Sequence, residues 1–156
     1  MKLNLTPEEY SAKAKALFEQ GYNCAQAVLL AFDDITGLDT KTAAALSSSF
    51  GGGMGRLREV CGAVSGMFMI SGIVRGYDDP KATDKKMEHY AFIQNLAAEY
   101  KKDNGSIICR ELLNLPGAES PVPEERTADY YRRRPCGEYV ARAALLLAQN
   151  LEADEG

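Results

Sequence analysis

The sequence predicts an all-α fold: a single-domain helical bundle of about six or seven helices with a buried central helix. Three observations lead to this fold class. Apolar side chains recur at helical spacing, helix-starting residues precede most of these segments, and patterns typical of strands are nearly absent. With 156 residues, of which 46% are hydrophobic, the chain is long enough to bury a core, and residues 1–156 are predicted to form one domain.

Helix-starting signals mark the first two helices. Thr6-Pro7-Glu8-Glu9 has the pattern of a capping box with proline at the first helical position, and Gly21 is expected to end this helix. Asn23 is a good N-cap for a second helix. We expect that helix to run from Cys24 to about Asp33 and to end near Gly37.

The next two helices flank the glycine-rich stretch GGGMGRLREVCGAVSG, residues 51–66. A third helix is predicted from Asp39 or Thr40 to about Phe50, and a fourth over residues 57–75. The fourth contains the apolar stretch Val60–Val74, which is hydrophobic nearly all round and is therefore predicted to be the buried central helix. Glycines and serines interrupt that stretch, and it is too short to span a bilayer.

Three more helices complete the prediction. The fifth begins near Thr83 and ends before Gly105, the sixth is a short helix from Ser106 to Leu113, and the last begins at Pro135. Residues 115–135 hold four of the six prolines. A connection of this length is either a surface loop stiffened by proline or a cover over a functional site.

Charge and cysteine content limit the function classes. The net charge of −4 provides no basic surface, so we expect no nucleic-acid partner, and no segment predicts membrane insertion. The N-terminal residues lack the apolar region of a signal peptide, which predicts a cytoplasmic protein. Thiols stay reduced there and structural disulfides are rare, so the four cysteines need another explanation.

Each cysteine lies at or near a predicted helix N-terminus: Cys24, Cys61, Cys109 and Cys136. The positive end of a helix dipole and nearby arginines lower a thiol's pKa, and the thiolate is the nucleophile and the metal ligand. The alternative is that these residues are small buried hydrophobes. We expect the four to converge on one site, with Cys61 the most readily alkylated because Arg56 and Arg58 precede it.

The glycines suggest a binding loop beside Cys61. Gly52, Gly53 and Gly55 can adopt positive φ, so that successive N–H groups form an anion-binding concavity before a helix. Together with Arg56 and Gly62 they are the candidate cofactor-binding residues. Gly62 is one turn from Gly66, which would also let another backbone approach this face closely.

These features resemble a known family. Cys24, the loop GGGMGR, the string CGAVSG at residues 61–66, Cys109 and Cys136 together resemble the C-GCAxxG-C-C family of redox-active bacterial proteins. The resemblance covers nearly the whole chain, including GYNCAQAVLLAF around Cys24, although the family label writes Gly-Cys-Ala where this chain has Cys61-Gly62-Ala63. It implies a small redox protein.

The resemblance also bears on the cofactor. A related group with the same cysteine domain, the split-Soret cytochromes c, carries haem and an iron–sulfur centre. This sequence has no CxxCH, so the resemblance does not imply covalent haem here. It leaves an iron–sulfur cluster open as the cofactor.

Three functions remain open at this point. The first is thiol–disulfide redox chemistry at the four cysteines, which would make the protein a thiol-based oxidoreductase. The second is a carrier of a metal or iron–sulfur cluster with Cys24, Cys61, Cys109 and Cys136 as ligands. Spacings of 37, 48 and 27 residues lack the CxxC pairs of zinc ribbons and disfavour zinc. The third is a non-catalytic binding module with structural cysteines. The redox partner and the oligomeric state stay open.

Overall fold

The computed structural model describes residues 1–154, and this part of the chain is all-α, as predicted. Six helices of eight or more residues form the bundle, and shorter helical segments connect them. The helices are α1 (Pro7–Glu19), α2 (Cys24–Ala31), α3 (Asp33–Thr36), α4 (Thr40–Ser47), α5 (Gly51–Met54), α6 (Gly62–Arg75), α7 (Thr83–Asn104), α8 (Cys109–Leu112), α9 (Ala128–Arg133) and α10 (Cys136–Ala153), with a 3-10 turn at Ser48–Phe50. Of these, α5 is a single turn in which residues 52–54 have left-handed φ.

The centre of the bundle is α2, which packs against α1, α4, α6 and α10. Its side chains from Ala25 to Ala31 are buried except that of Gln26. The ring of Phe32, directly after α2, stacks on Tyr10 of α1 with centroids 4.3 Å apart. This packing fixes the N-terminus of α2, and with it Cys24, inside the protein.

The predicted start signals of α1 and α2 are confirmed. The side chains of Thr6 and Asn23 each accept a hydrogen bond from the backbone N–H of the third helical residue, and their own backbone N–H groups donate to that residue's side chain, so both helices begin with complete capping boxes. The amide of Asn23 also donates to the Ser48 carbonyl at 3.2 Å, which ties the start of α2 to the chain before the glycine loop.

Two predicted helix ends are wrong. The second helix ends at Ala31 rather than near Asp33, because the backbone of Phe32 leaves helical geometry, and α3 follows as a separate turn that ends at the left-handed Gly37, as predicted. The third ends at Ser47 rather than Phe50. The hydroxyls of Ser47 and Ser48 donate to the carbonyls of Ala43 and Ala45, and this competition with the helical pattern precedes the 3-10 turn.

The central helix is also shorter than predicted. α6 begins at Gly62, because residues 58–61 pair with residues 107–110 instead of continuing the helix. It is buried from Gly62 to Met67, but Gly72 and Ile73 in its last turns are exposed. The prediction of a buried central helix therefore holds for the N-terminal half of α6. None of the helices in residues 1–154 combines the length and hydrophobicity needed to cross a membrane.

Candidate functional site

All four cysteines line one cavity of about 60 Å³, which we call the cysteine cavity. Cys24, Cys109 and Cys136 are the first residues of α2, α8 and α10, and Cys61 is the N-cap residue of α6. The predicted position at helix N-termini and the predicted convergence are therefore confirmed. All four are free thiols in this structure, and Cys24 is the most accessible of them.

A short antiparallel pairing, the Val60–Ile108 bridge, holds two of the cysteines in register. The N–H of Cys61 donates to the Ile107 carbonyl at 2.8 Å, and the N–H of Cys109 donates to the Glu59 carbonyl at 2.6 Å. Cys61 and Cys109 occupy diagonal positions on the same face of this pairing. Sequence analysis missed the bridge, although a β-branched residue precedes each of these cysteines.

The backbone before the Val60–Ile108 bridge adopts left-handed conformations, and we call residues 52–58 the left-handed segment. Residues 52–56 and Arg58 all have positive φ, including φ values of 68°, 68° and 58° at Met54, Arg56 and Arg58. A left-handed non-glycine residue costs about 1–2 kcal/mol, so this left-handed segment needs compensation. The N–H groups of Arg58 and Glu59 close it by donating to the carbonyls of Gly52 and Gly53. These N–H groups are thus used inside the loop.

Two glycines allow cysteine side chains to come close. A Cβ at Gly53 would lie 2.6 Å from the Cβ of Cys109, and a Cβ at Gly62 would lie 3.1 Å from the Cβ of Cys24. Ordinary carbon contacts are about 3.5–4.0 Å, so Gly53 requires glycine, and a methyl group at Gly62 would require its neighbours to move by a few tenths of an ångström. The close approach of α2 to Gly62 and Gly66 is confirmed, since Ala25 backbone atoms lie within 3.1 Å of the Cβ that either would carry.

The predicted binding residues are divided between cavity and surface. Gly52, Gly53 and Gly62 line the cysteine cavity. Arg56 lies outside it and donates from Nε to the Ser120 carbonyl at 2.7 Å. Gly55 is exposed and lines no part of the cavity. The binding role of these residues stays a prediction, while close packing is the role seen for Gly53 and Gly62.

The left-handed segment directs the Arg58 side chain into the protein, where only 6% of the residue is exposed. Its Nη1 donates to Cys109 Sγ at 3.5 Å and its Nε donates to Glu119 Oε1 at 2.8 Å. Burial raises the pKa of Cys109, and the guanidinium of Arg58 opposes that rise without reversing it. Arg58 therefore links a cysteine to the proline-rich segment, residues 115–135.

Cys136 has the most stabilised thiolate. The hydrogen bond from Cys24 is the largest cause lowering the pKa of Cys136, and the positive charges of Arg134, Arg58 and Arg126 lower it further against the effect of burial. The same interaction and burial raise the pKa of Cys24 well above its usual value. At the pH where Cys136 is a thiolate, Cys24 is thus its hydrogen-bond donor.

The reason given for expecting Cys61 to react first is wrong. Burial raises the pKa of Cys61 to about 11. Its Sγ lies 3.6 Å from the hydroxyl of the buried Tyr100. The neighbouring arginines do not serve it, because Arg58 turns to Cys109 and Arg56 turns to the proline-rich segment.

The proline-rich segment covers the cysteine cavity, so the second of its two sequence-based interpretations describes the structure. Arg126 and Tyr130 from this segment line the cavity. Arg126 donates to the carbonyls of Phe18 and Tyr22 at 3.1 and 3.0 Å, and its guanidinium lies over the Phe18 ring. The helix α9 within the segment was not predicted; Thr127 caps it by accepting from the Tyr130 N–H.

The iron–sulfur interpretation can be compared with the donor groups. Within residues 1–154, no three His, Cys, Asp or Glu side chains are grouped closely enough to hold a metal ion. Arg58 instead donates a hydrogen bond to Cys109, and the positive charges of Arg134, Arg58 and Arg126 stabilise the thiolate of Cys136. In this conformation the four cysteines are therefore not grouped closely enough to hold a single metal ion, and the iron–sulfur cluster stays a hypothesis.

Comparison with known families agrees with the resemblance in the sequence. The family model described as "Putative redox-active protein (C_GCAxxG_C_C)" matches residues 22–150, well over half of the chain and including all four cysteines. The chain belongs to this family. No curated protein and no solved structure matched the chain.

Proposed function

We propose that the protein carries out thiol–disulfide exchange, with Cys136 as the attacking thiolate and Cys24 as the resolving thiol. The observation that carries this proposal is that Cys24 and Cys136 line the same cavity, where their interaction lowers the pKa of Cys136 and raises that of Cys24. The thiolate, not the thiol, attacks a disulfide. A thiolate with a second thiol beside it is the arrangement that such exchange requires.

The charges around Cys136 support this assignment of roles. Arg134, Arg58 and Arg126 all favour its thiolate form. Cys136 is also the first residue of the 18-residue helix α10, whose N-terminus adds partial positive charge. Cys61 and Cys109 have raised pKa values, so both are protonated at neutral pH and are poorer first nucleophiles.

The exchange balances in two steps. The Cys136 thiolate attacks one sulfur of a substrate disulfide, the substrate S–S bond breaks, and a mixed disulfide forms as the other substrate thiolate leaves. Cys136 is then uncharged, so the interaction that keeps Cys24 protonated is lost, and the Cys24 proton passes to the departing thiolate. The Cys24 thiolate attacks Cys136 Sγ and releases the second substrate thiolate. The substrate disulfide is reduced, and the two cysteines are oxidised to a disulfide.

Rapid acid quenching with peptide mapping tests the proposal. Protein prepared reduced and without oxygen is mixed with 2-hydroxyethyl disulfide, and the remaining thiols are alkylated. We expect a Cys24–Cys136 disulfide to form first. Cys24→Ser should accumulate the mixed disulfide on Cys136, Cys136→Ser should lose the fast reaction, and the control Cys109→Ser should keep both steps.

Two outcomes contradict the proposal. A first disulfide that involves Cys61 or Cys109, or no disulfide at all, removes the assigned pair. Iron and sulfide in stoichiometric amounts in freshly isolated protein, lost together in any single cysteine variant, would instead support the cluster carrier. That assay needs only the protein as isolated.

A further inference from the structure

A surface groove leads to the cysteine cavity. This arginine groove of about 390 Å³ is lined by Arg56, Arg58, Pro123, Glu124, Arg126 and Tyr130, together with the loops around Gly21 and Gly51. It shares Arg58, Arg126 and Tyr130 with the cysteine cavity. A molecule that reaches Cys136 through this groove therefore passes between guanidinium groups.

The groove carries more positive than negative charge. Its one lining carboxylate, Glu124, already receives hydrogen bonds from Arg133 at 2.7 Å and Arg134 at 3.0 Å. Glu119 pairs with Arg58 and lies 3.6 Å from an Arg56 nitrogen. Within residues 1–154, two lining guanidiniums thus share one carboxylate, in a protein whose overall charge is −4.

Among the three arginines that line the groove, Arg126 is the one that makes no ion pair with a carboxylate of residues 1–154. Its hydrogen-bond partners are the Phe18 and Tyr22 carbonyls and the Tyr131 hydroxyl, all uncharged. Its guanidinium also lies 5.1 Å from the centroid of the Tyr130 ring. The side chain is therefore fixed in place while its charge stays available at the junction of groove and cavity.

We propose that the substrate is a low-molecular-weight disulfide or thiol that carries carboxylate or phosphate groups, an inference that rests on the proposed exchange chemistry. Its sulfur enters the cysteine cavity, and its anionic group lies in the arginine groove against Arg126 and Arg56. The sizes fit this division, because the cavity is small and the groove is more than six times larger. Positive charge concentrated in a cleft raises the local concentration of anions and their rate of association.

Alkylation of Cys136 measures the groove charge without any disulfide chemistry. Iodoacetate and iodoacetamide transfer similar groups to the thiolate with loss of iodide, but only iodoacetate is an anion. We divide the rate with iodoacetate by the rate with iodoacetamide, both for Cys136 and for free 2-mercaptoethanol. At low ionic strength we expect this ratio to be about fivefold or more higher for Cys136, and we call that factor the iodoacetate excess. The iodoacetate excess should fall towards a factor of one in about 1 M salt, because the Debye length is then near 3 Å and the arginine charges are screened.

The matched variants are Arg126→Gln and the control Arg142→Gln, which removes the same charge from an exposed position on α10. We expect Arg126→Gln to lose most of the excess and Arg142→Gln to keep it. If Arg126→Gln does not fold, Arg56→Gln takes its place. The salt dependence of the iodoacetate excess in the unsubstituted protein tests the groove charge without any substitution. An iodoacetate excess that is absent, or equal in the two variants, overturns the inference.

Reaction with disulfides of different charge separates this inference from the proposed function. The reduced protein is mixed with dianionic dithiodipropionate, neutral 2-hydroxyethyl disulfide or dicationic cystamine. We expect dithiodipropionate to oxidise Cys24 and Cys136 fastest and cystamine slowest. Equal rates with all three would leave the exchange chemistry intact and refute the anionic substrate. No Cys24–Cys136 disulfide with any of them would refute the exchange chemistry itself, and faster oxidation by a disulfide-containing protein would refute the small-molecule assignment.

Discussion

Replacing Gly53 by alanine tests how the left-handed segment positions Cys109. Gly53 has φ +65°, and a Cβ there would lie 2.6 Å from the Cβ of Cys109, 2.8 Å from the Cα of Arg58 and 2.9 Å from the N of Glu59. Two of these atoms belong to the backbone that forms the Val60–Ile108 bridge. The new methyl group therefore cannot be accommodated by rotating one side chain.

The expected cost has two parts. The left-handed conformation costs an alanine about 1–2 kcal/mol relative to glycine. Forcing a methyl group into a closed site costs about 1–3 kcal/mol more, because neighbouring atoms must move by close to 1 Å to reach ordinary contact. Gly53→Ala should therefore lower the free energy of unfolding by about 2–5 kcal/mol.

Gly55→Ala is the matched control, since Gly55 also has positive φ (+62°) but has only the Ser49 carbonyl, at 4.0 Å, near its position for a Cβ. It should show the conformational cost alone. Gly72→Ala gives the opposite sign: the site is helical with nothing within 4 Å, so alanine should stabilise by about 0.5–1 kcal/mol.

Urea unfolding of the reduced proteins, followed by circular dichroism, measures the three changes. A difference between Gly53→Ala and Gly55→Ala of less than about 0.5 kcal/mol would refute the close approach of Gly53 to Cys109 and Arg58. Slower alkylation of Cys109 in Gly55→Ala than in Gly53→Ala is expected as well, because only the Gly53 methyl disturbs the surroundings of that thiol.

Three further predictions concern the pKa values and the proline-rich segment. Cys24→Ala should move the pH profile of Cys136 alkylation to higher pH, because it removes the largest cause of the low pKa; an unchanged profile would assign that pKa to the arginines. Burial raises the pKa of Cys61 to about 11, compared with a pKa near 9 in the unfolded chain. The stability that the buried neutral thiol contributes is therefore complete below pH 9 and is lost as the pH rises through 11. Between pH 9 and pH 11 the free energy of unfolding should therefore fall further in the unsubstituted protein than in Cys61→Ala, by up to about 2–3 kcal/mol. Equal losses in the two proteins would contradict the burial of this thiol. Glu119→Gln should speed proteolysis within residues 115–135 relative to Glu125→Gln, because only Glu119 is bound to the buried Arg58; equal cleavage rates would show that this ion pair does not hold the segment.

The features that sequence analysis predicted correctly depend on nearby residues. The capping boxes at Thr6 and Asn23 need only residues within one helical turn, and the patterns are explicit. The cysteines lie at helix N-termini for the same local reason. Their convergence was inferred from shared chemistry, and the cysteine cavity bears it out.

The features that it missed depend on residues distant in the sequence. The Val60–Ile108 bridge joins segments more than 40 residues apart, and neither is long enough to show a strand pattern. The order of the pKa values was missed for a similar reason. Arg58 is close to Cys61 along the chain, but its left-handed backbone turns the guanidinium to Cys109, while Cys136 gains its main stabilisation from Cys24.

The glycines around Cys61 have a structural role that differs from the one predicted from their position. They were expected to form a binding loop beside a reactive Cys61, yet Cys61 is buried with a raised pKa. Gly53 leaves room for Cys109, and Gly62 leaves room for Cys24, each by lacking a Cβ at a contact that a methyl group would close. Because Cys24 is the hydrogen-bond donor to Cys136, the missing side chain at Gly62 also bears on the thiolate that we propose to be the nucleophile. The glycine-rich stretch therefore brings cysteines from other helices to the cavity, and the thiol that we propose to be reactive lies at the start of the last helix.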